Sequence, residues 1–139
     1  MKKLLLLAAI AGCASQPPAT PAPAFELSGL DGASVKSSDL WADKPVLLVF
    51  MTSWCPACRK EVPRLNEIAR THAVIAIATG DTKEAMERCR AQTGMTYPVL
   101  LDEGAVSRAF GIQASPTCIL VDKGGAIVYR GSKPPEKLK

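Results

Sequence analysis

The sequence predicts an α/β domain in which helices flank a mixed central sheet. Between residues 46 and 110, apolar segments of strand length alternate with segments of helical periodicity, which is typical of parallel strands joined by helices. The alternation then gives way to two strand-like segments around a turn, which predicts a closing hairpin. With 139 residues, of which 47% are hydrophobic, the chain is long enough for one such domain.

A hairpin and a helical turn are predicted at the start of the domain. Two short segments, 25–27 and 33–35, flank Asp31-Gly32, a dipeptide typical of tight hairpin turns. The residues that follow predict a short helical turn capped by Ser37 or Ser38. We therefore expect an N-terminal hairpin to precede the alternating part of the chain.

The uninterrupted apolar run Val46–Met51 predicts a central strand that is covered on both faces of the sheet. Further along the chain, Gly94 and Gly111 mark the ends of two predicted helices. The remaining predicted elements are, in chain order, a helix over 55–71, a strand over 74–78, a helix over 82–93, a strand over 98–101, a short helix over 105–110, and strands over 117–121 and 126–129.

A pair of cysteines with two residues between them follows the central strand. Cys55 lies at the predicted N-terminus of the long helix, where unpaired N–H groups and the positive end of the helix dipole favour a thiolate. Cys58 lies one turn further along the helix, close enough to close a small ring with Cys55. The pair can therefore pass two electrons by thiol–disulfide exchange.

The first twelve residues resemble an export signal. Lys2 and Lys3 precede the eight-residue apolar run Leu4–Ala11, which is too short to cross a bilayer as a helix. The Ala-Gly-Cys sequence that ends at Cys13 resembles the bacterial lipoprotein signal, which implies a signal peptide over 1–12 and lipidation of Cys13. The alternative is an ordinary secreted protein in which this cysteine occurs by chance.

Residues 13–24 are predicted to be a Pro-rich linker between this cysteine and a domain over 25–139. The four prolines among residues 14–24 favour an extended chain of about 3 Å per residue. We expect the linker to hold the domain clear of the membrane, and a tail with no role is the alternative.

Composition and charge argue against nucleic-acid binding. The formal charge of +4 is small and includes the two lysines of the predicted signal peptide. Aromatic residues make up only 5% of the chain, which argues against a base-stacking surface.

Features outside the cysteine pair add a resemblance to a known family. Trp54 precedes the pair, Pro63 follows it by five residues, and Ser115-Pro116-Thr117 opens a late strand. This arrangement resembles the thioredoxin fold. An additional strand–helix unit over about 73–94 is similar to the insertion of the TlpA/ResA group of membrane-tethered, thioredoxin-like proteins, and the resemblance covers 25–131. Related segments of that group also match residues 25–27, 97–102, 110–112 and 121–125.

The resemblance implies roles for the residues around the pair. Cys55 would be the attacking thiolate, and Cys58 would release the mixed disulfide. A cis-proline at Pro116 would face the dithiol and help to bind substrate backbone. Further substrate contacts are implied for Trp54, Pro56, Ser115 and Thr117.

Glu61 lies where ResA-like members carry an acid near the dithiol, which implies that it accepts or relays the proton of Cys58. The alternative is a solvated carboxylate among basic helix residues. Plain thioredoxin has a buried Asp six residues before its first cysteine, whereas Val49 holds that position here. A second departure is that the residues after Gly131 do not predict the closing helix that the family usually has.

Two further cysteines of the predicted domain and one histidine lie outside the pair. Cys89 lies on the apolar face of its helix, and Cys118 follows Pro116 by two residues. Three interpretations stay open: two inert buried thiols, a structural Cys89–Cys118 disulfide, or an auxiliary redox thiol at Cys118. His72 ends the long helix, where a cation suits the dipole, and we expect no catalytic or ligand role for it.

The leading hypothesis is a thiol:disulfide oxidoreductase that is lipid-anchored in the bacterial cell envelope and faces the periplasm or extracytoplasmic space. By the resemblance it would reduce disulfides of exported proteins such as apocytochrome c. A membrane or periplasmic thiol–disulfide electron donor would then recharge it. We expect a monomer with no cofactor, no metal and no nucleic-acid partner.

Two alternatives belong to proteins of related fold. Copper-delivery proteins use Cys-x-x-x-Cys and a distant downstream histidine, whereas this chain has Cys-x-x-Cys, and His72 is near the pair. Peroxiredoxins place a proline seven residues before the peroxidatic cysteine, whereas Pro45 lies ten residues before Cys55. Both spacings disfavour these alternatives.

Overall fold

The computed structural model describes residues 19–138, so the predicted signal peptide and Cys13 lie outside the described residues. One mixed sheet forms the middle of this part of the chain. Its strands, in chain order, are β1 (Thr20–Pro21), β2 (Glu26–Gly29), β3 (Ser34–Lys36), β4 (Val46–Met51), β5 (Ala73–Thr79), β6 (Val99–Asp102), β7 (Thr117–Val121) and β8 (Ala126–Gly131). Its helices are α1 (Ser37–Leu40), α2 (Pro56–Ala69), α3 (Lys83–Thr93) and α4 (Ala105–Ala109).

The sheet has the strand order β1-β8-β7-β4-β5-β6-β2-β3. Strands β4, β5 and β6 are parallel and are joined by α2 and α3, which confirms the predicted strand–helix alternation. The hairpins β2–β3 and β7–β8 are antiparallel, as the turn sequences predicted. Strand β7 also pairs with β4 in the antiparallel sense, so β4 lies between a parallel and an antiparallel neighbour.

Both faces of β4 are buried, because alternate residues of the apolar run point into two different cores. Leu47, Val49 and Met51 belong to a core that includes the buried faces of α2 and α3. The intervening residues, with Phe50 the largest, belong to a second core that contains Trp41 and α4 side chains. The central strand is therefore held from both sides, which fixes the position of the loop that follows it.

Helix α3 begins and ends at the residues that the sequence marked. The Thr82 hydroxyl accepts a hydrogen bond from the Ala85 N–H at 3.1 Å, and Gly94 ends the helix with φ at 73°. The predicted cap of α1 is wrong. Neither Ser37 nor Ser38 caps it, because the Ser37 hydroxyl instead accepts the Phe25 N–H at 2.9 Å and ties the turn to the chain before β2.

The end of the predicted linker joins the edge of the sheet. Thr20 lies opposite Ile127 and Pro21 opposite Ala126, and the Ala22 N–H donates to the Gly125 carbonyl at 2.7 Å. The folded part of the chain therefore starts before residue 25, where the sequence placed the start of the domain.

Residues 132–138 contain no helix, in line with the departure from the family pattern noted in the sequence. The Tyr129 hydroxyl donates to the Lys133 carbonyl at 2.7 Å and holds the first of these residues against β8. Between residues 19 and 138, no helix is long and apolar enough to cross a membrane.

Candidate active site

The cysteine pair lies at the carboxyl end of β4. The strand ends at Met51, a three-residue loop follows, and Cys55 is the N-cap residue of α2. The Cys55 Sγ accepts a hydrogen bond from the Cys58 N–H at 3.3 Å, so this sulfur takes the place that a serine or aspartate oxygen has in other helix caps. The sulfur therefore lies against the positive end of the helix dipole, as the sequence predicted.

The loop before β7 meets Cys55 from the other side. Because Thr117 pairs with Phe50 across the antiparallel β4–β7 ladder, the residues just before β7 lie beside the end of β4. The Cys55 thiol donates to the Ser115 carbonyl at 3.5 Å, and the Ser115–Pro116 peptide bond is cis. The predicted cis-proline therefore adjoins the dithiol.

The two cysteines of the pair differ in their surroundings. Cys55 is 7% exposed and Cys58 is 3% exposed. Burial, reinforced by the hydrogen bond with Cys55, raises the pKa of the Cys58 thiol to about 12. Cys58 therefore stays protonated near neutral pH until something removes its proton.

A groove of about 370 Å³ adjoins Cys55 and is lined in part by Trp54 and by residues 112–115. The Trp54 side chain is 75% exposed and is the most exposed large hydrophobic residue among those described. Exposed aromatic surface next to a reactive thiol is suited to contact with a polypeptide. Of the other predicted contact residues, Pro56 is exposed in the first turn of α2 and Thr117 is half-buried.

Glu61 is half-buried on α2, one turn after Cys58. Burial is the larger cause that raises the pKa of the Cys118 thiol to about 12, and the negative charge of Glu61 is the second. Glu61 is not among the groups that shift the pKa of Cys58. The role of Glu61 toward Cys58 stays a prediction.

Cys89 and Cys118 are fully buried in the same core as Cys55 and Cys58. All four are free thiols, so the Cys89–Cys118 disulfide considered from the sequence is not formed in this structure. The two belong to separate elements, α3 and β7, and each packs against apolar neighbours.

His72 lies beyond the end of α2, at the opposite end of that helix from Cys55, and its Nδ1 lies 2.9 Å from the Thr71 hydroxyl. Within 19–138, no group of three or more His, Cys, Asp and Glu side chains is placed to hold a metal ion.

Sequence reasoning missed a hydrogen-bond network that joins Ser53, in the loop between β4 and α2, to Asp81 and Arg59. The Ser53 N–H and hydroxyl both donate to Asp81, and Arg59 Nε donates to the Ser53 carbonyl. Asp81 follows the carboxyl end of β5, which is parallel to β4 and next to it. That adjacency was the available signal, because the carboxyl ends of neighbouring parallel strands meet at one edge of a sheet.

Comparisons with known proteins agree with the resemblance. The Redoxin family model matches residues 17–138. A thiol-disulfide oxidoreductase ResA from Geobacillus thermodenitrificans is 31% identical to this chain over 126 residues, which cover 85% of this chain and 72% of the relative.

Solved structures of thioredoxin-like proteins superpose on this chain. The thioredoxin domain of a thiol-disulfide oxidoreductase from Bacteroides vulgatus superposes with a TM-score of 0.76 at 26% identity, covering 86% of this chain and 91% of that one. A thioredoxin-family thiol:disulfide interchange protein from Chlorobium tepidum gives a TM-score of 0.75 at 26% identity, covering 87% and 90%. The predicted thioredoxin-like fold is therefore confirmed.

Proposed function

This chain belongs to the redoxin family and is a protein-disulfide oxidoreductase, and on that premise we propose that it reduces disulfides of exported proteins through Cys55 and Cys58. The observation that carries the proposal is the placement of the Cys55 sulfur. It caps a helix N-terminus, one turn from a buried second thiol and 3.5 Å from the carbonyl that precedes a cis-proline.

The two thiols divide the reaction between them. The Cys55 thiolate attacks one sulfur of the substrate disulfide, so that a mixed disulfide forms and the other substrate sulfur leaves and takes a proton. Cys58 then gives up its proton and attacks the Cys55 sulfur, which closes the protein disulfide and releases the second substrate thiol. Two electrons pass from the protein to the substrate, and a membrane or periplasmic thiol–disulfide donor returns them.

Cys58 must lose its proton for the second step, although its pKa is raised. Glu61 is the nearest carboxylate along α2 and is our candidate for the acceptor or relay of that proton. The support for this role is its half-buried position on α2, one turn from Cys58.

The substrate backbone would lie along the cis-proline loop. Ser115 and Thr117 flank Pro116 there, and Trp54 and Ser115 both line the groove beside Cys55. Pro56 is exposed in the first turn of α2. Once Cys55 has ionised it no longer donates to the Ser115 carbonyl, so in the mixed disulfide that carbonyl is free to accept a hydrogen bond from the substrate.

The location is a proposal of its own. The signal-like segment and the Ala-Gly-Cys sequence support export and lipidation of Cys13, which would hold the domain in the bacterial cell envelope, facing the periplasm or extracytoplasmic space. Apocytochrome c, whose heme-attachment cysteines must be reduced, would be one substrate of this kind.

The test is a trapping experiment with a disulfide-bonded peptide that contains the Cys-x-x-Cys-His heme-attachment sequence. The variant Cys58→Ser should accumulate a mixed disulfide through Cys55, because the second step is removed, whereas Cys55→Ser should form none. Failure of Cys58→Ser to capture the peptide would contradict the proposed roles.

The equilibrium of the Cys55/Cys58 couple with glutathione then tests the direction. A potential near about −270 mV would agree with a reductant, and a potential near about −120 mV would contradict reduction of exported proteins.

A further inference from the structure

Every hydrogen-bonding group of Ser53 is taken up by a side chain from elsewhere in the chain. Its N–H donates to Asp81 Oδ2 at 2.6 Å, its hydroxyl donates to Oδ1 of the same carboxylate at 2.9 Å, and its carbonyl accepts from Arg59 Nε at 2.8 Å. Ser53 is only 8% exposed, so water can replace little of this pattern. Because the Asp81 carboxylate accepts both of these charge-assisted hydrogen bonds, it fixes the backbone and side-chain position of Ser53.

The constrained residue lies immediately before the reactive part of the molecule. Ser53 is two residues from Cys55 and is enclosed in the turn that the Cys55 N–H closes on the Thr52 carbonyl at 3.4 Å. Trp54 stands between them with its ring in solvent. A change in the backbone at Ser53 would therefore move both the exposed ring and the sulfur.

The constraint comes from the strand–helix unit formed by β5 and α3. Asp81 lies between β5 and α3, where Gly80 turns the chain with φ at 65°. A second link runs from the same unit, because the guanidinium of Arg59 that holds the Ser53 carbonyl also donates to Gln92 Oε1 on α3 at 2.9 Å. Asp81 directly, and Gln92 through Arg59, thus both act on Ser53 of the loop.

We propose that Asp81 is a positioning residue for the dithiol: it holds the loop 52–54 so that the Cys55 sulfur stays at the helix N-terminus and within reach of the cis-proline loop. The carboxylate itself touches neither sulfur nor substrate and acts only through Ser53. The inference rests on the proposed role of Cys55 as the attacking thiol.

Three single variants separate geometry from charge. Asp81→Ala removes both acceptors and leaves the buried Ser53 N–H without a partner. Asp81→Asn keeps two contacts without the charge, because its oxygen can accept the N–H while its amide donates to the serine hydroxyl, which can accept. Asp31→Ala is the matched control, since Asp31 holds one N–H of the distant β2–β3 turn at 3.0 Å.

The measurement is reduction of the heme-attachment peptide disulfide by the full chain, with kcat and KM determined separately. A small thiol reductant is supplied to re-reduce the Cys55–Cys58 disulfide after each turnover, and its own rate with the peptide is subtracted. A misplaced nucleophile lowers the rate steeply, so Asp81→Ala should lose about tenfold or more in kcat. Asp81→Asn should stay within about threefold of the wild type, and Asp31→Ala should equal it. Unchanged kcat in Asp81→Ala, or equal losses in Asp81→Ala and Asp81→Asn, would overturn the inference.

Circular dichroism and thermal melting report whether each variant folds. If Asp81→Ala does not fold, Ser53→Ala carries the test, because it removes only the hydroxyl and keeps the N–H bond to Asp81. A loss of about threefold in kcat is then expected, and a wild-type rate would overturn the inference. If the wild-type chain itself fails to reduce the peptide, the proposed function fails, independently of Asp81.

Discussion

Replacement of Asp102 should destabilise the domain more than replacement of any exposed aspartate. Asp102 is 3% exposed, and its carboxylate accepts the backbone N–H groups of Gly104, Val106 and Ser107 at 3.0, 3.1 and 2.9 Å. These are the orphan donors at the start of α4, which no other side chain caps. The Thr79 hydroxyl adds a weaker bond at 3.3 Å from β5.

The size of the effect follows from those partners. Each buried N–H left unpaired costs about 1–3 kcal/mol, so Asp102→Ala should lower the free energy of unfolding by roughly 3 kcal/mol or more. Because Asp31 holds a single exposed N–H, Asp31→Ala should cost less than about 1 kcal/mol. The corresponding fall in the melting temperature for Asp102→Ala is on the order of 10 °C for a domain of this size.

The same carboxylate predicts a pH dependence. Burial alone would raise the pKa of Asp102, but the N–H donors of Gly104, Ser107 and Val106 outweigh it and hold the pKa below its ordinary value of 3.8. Its contribution is therefore present in full above pH 3.8 and is lost as the pH falls through the lower folded-state value.

The assay is urea unfolding of the wild type and of Asp102→Asn between pH 7 and pH 2, followed by circular dichroism. The gap in unfolding free energy between the two should narrow as the pH falls below 3.8, because the carboxylate takes up a proton there in the unfolded wild type while the folded protein keeps it ionised down to its lower pKa. A gap that stays constant over the whole range, or an Asp102→Ala variant as stable as the wild type, would refute the reasoning.

Three further predictions follow from burial, the proposed proton relay and backbone geometry. In the native reduced protein near neutral pH, iodoacetamide should label Cys55 well before the other cysteines of the domain, as peptide mapping by mass spectrometry would check. Glu61→Gln should slow release of the mixed disulfide by about a hundredfold in quenched-flow experiments, and an unchanged rate would remove it from the mechanism. Gly125→Ala should destabilise the domain by roughly 1–3 kcal/mol in urea unfolding. The φ angle of Gly125 is 101°, and a Cβ added there would lie 2.9 Å from Trp41 Nε1. Gly32→Ala should cost less, because a Cβ added at Gly32 meets nothing within 4 Å.

The parts of the fold that the sequence predicted are those encoded in neighbouring residues. The apolar run of β4 and the Thr82 and Gly94 boundaries of α3 are local signals, and each matches the structure. The Ser37 hydroxyl was misassigned because its partner, the N–H of Phe25, lies twelve residues earlier and is reached only after the β2–β3 hairpin forms. Strand β1 was missed because its two residues join the sheet through backbone pairing that leaves no side-chain pattern.

In the candidate site, too, the sequence predicted the residues related by local geometry and missed the contacts between distant parts of the chain. Cys55 and Cys58 are recognisable because helix geometry relates them directly, and Pro116 through its position before a strand. The Ser53–Asp81 contact joins residues 28 positions apart through the pairing of two parallel strands, and the influence of Glu61 on Cys118 depends on how α2 packs over β7. Neither is a property of any short segment.

If Cys13 carries the proposed lipid, strand β1 limits how far the domain can lie from the membrane. Thr20 is held opposite Ile127 at the sheet edge, so only residues 14–19 separate the folded body from Cys13. A fully stretched chain covers at most about 3.6 Å per residue, which restricts that edge to within roughly 25 Å of a lipid attached at Cys13. A protein tethered so closely would meet only partners that come to the bilayer surface, such as chains that are still emerging from it.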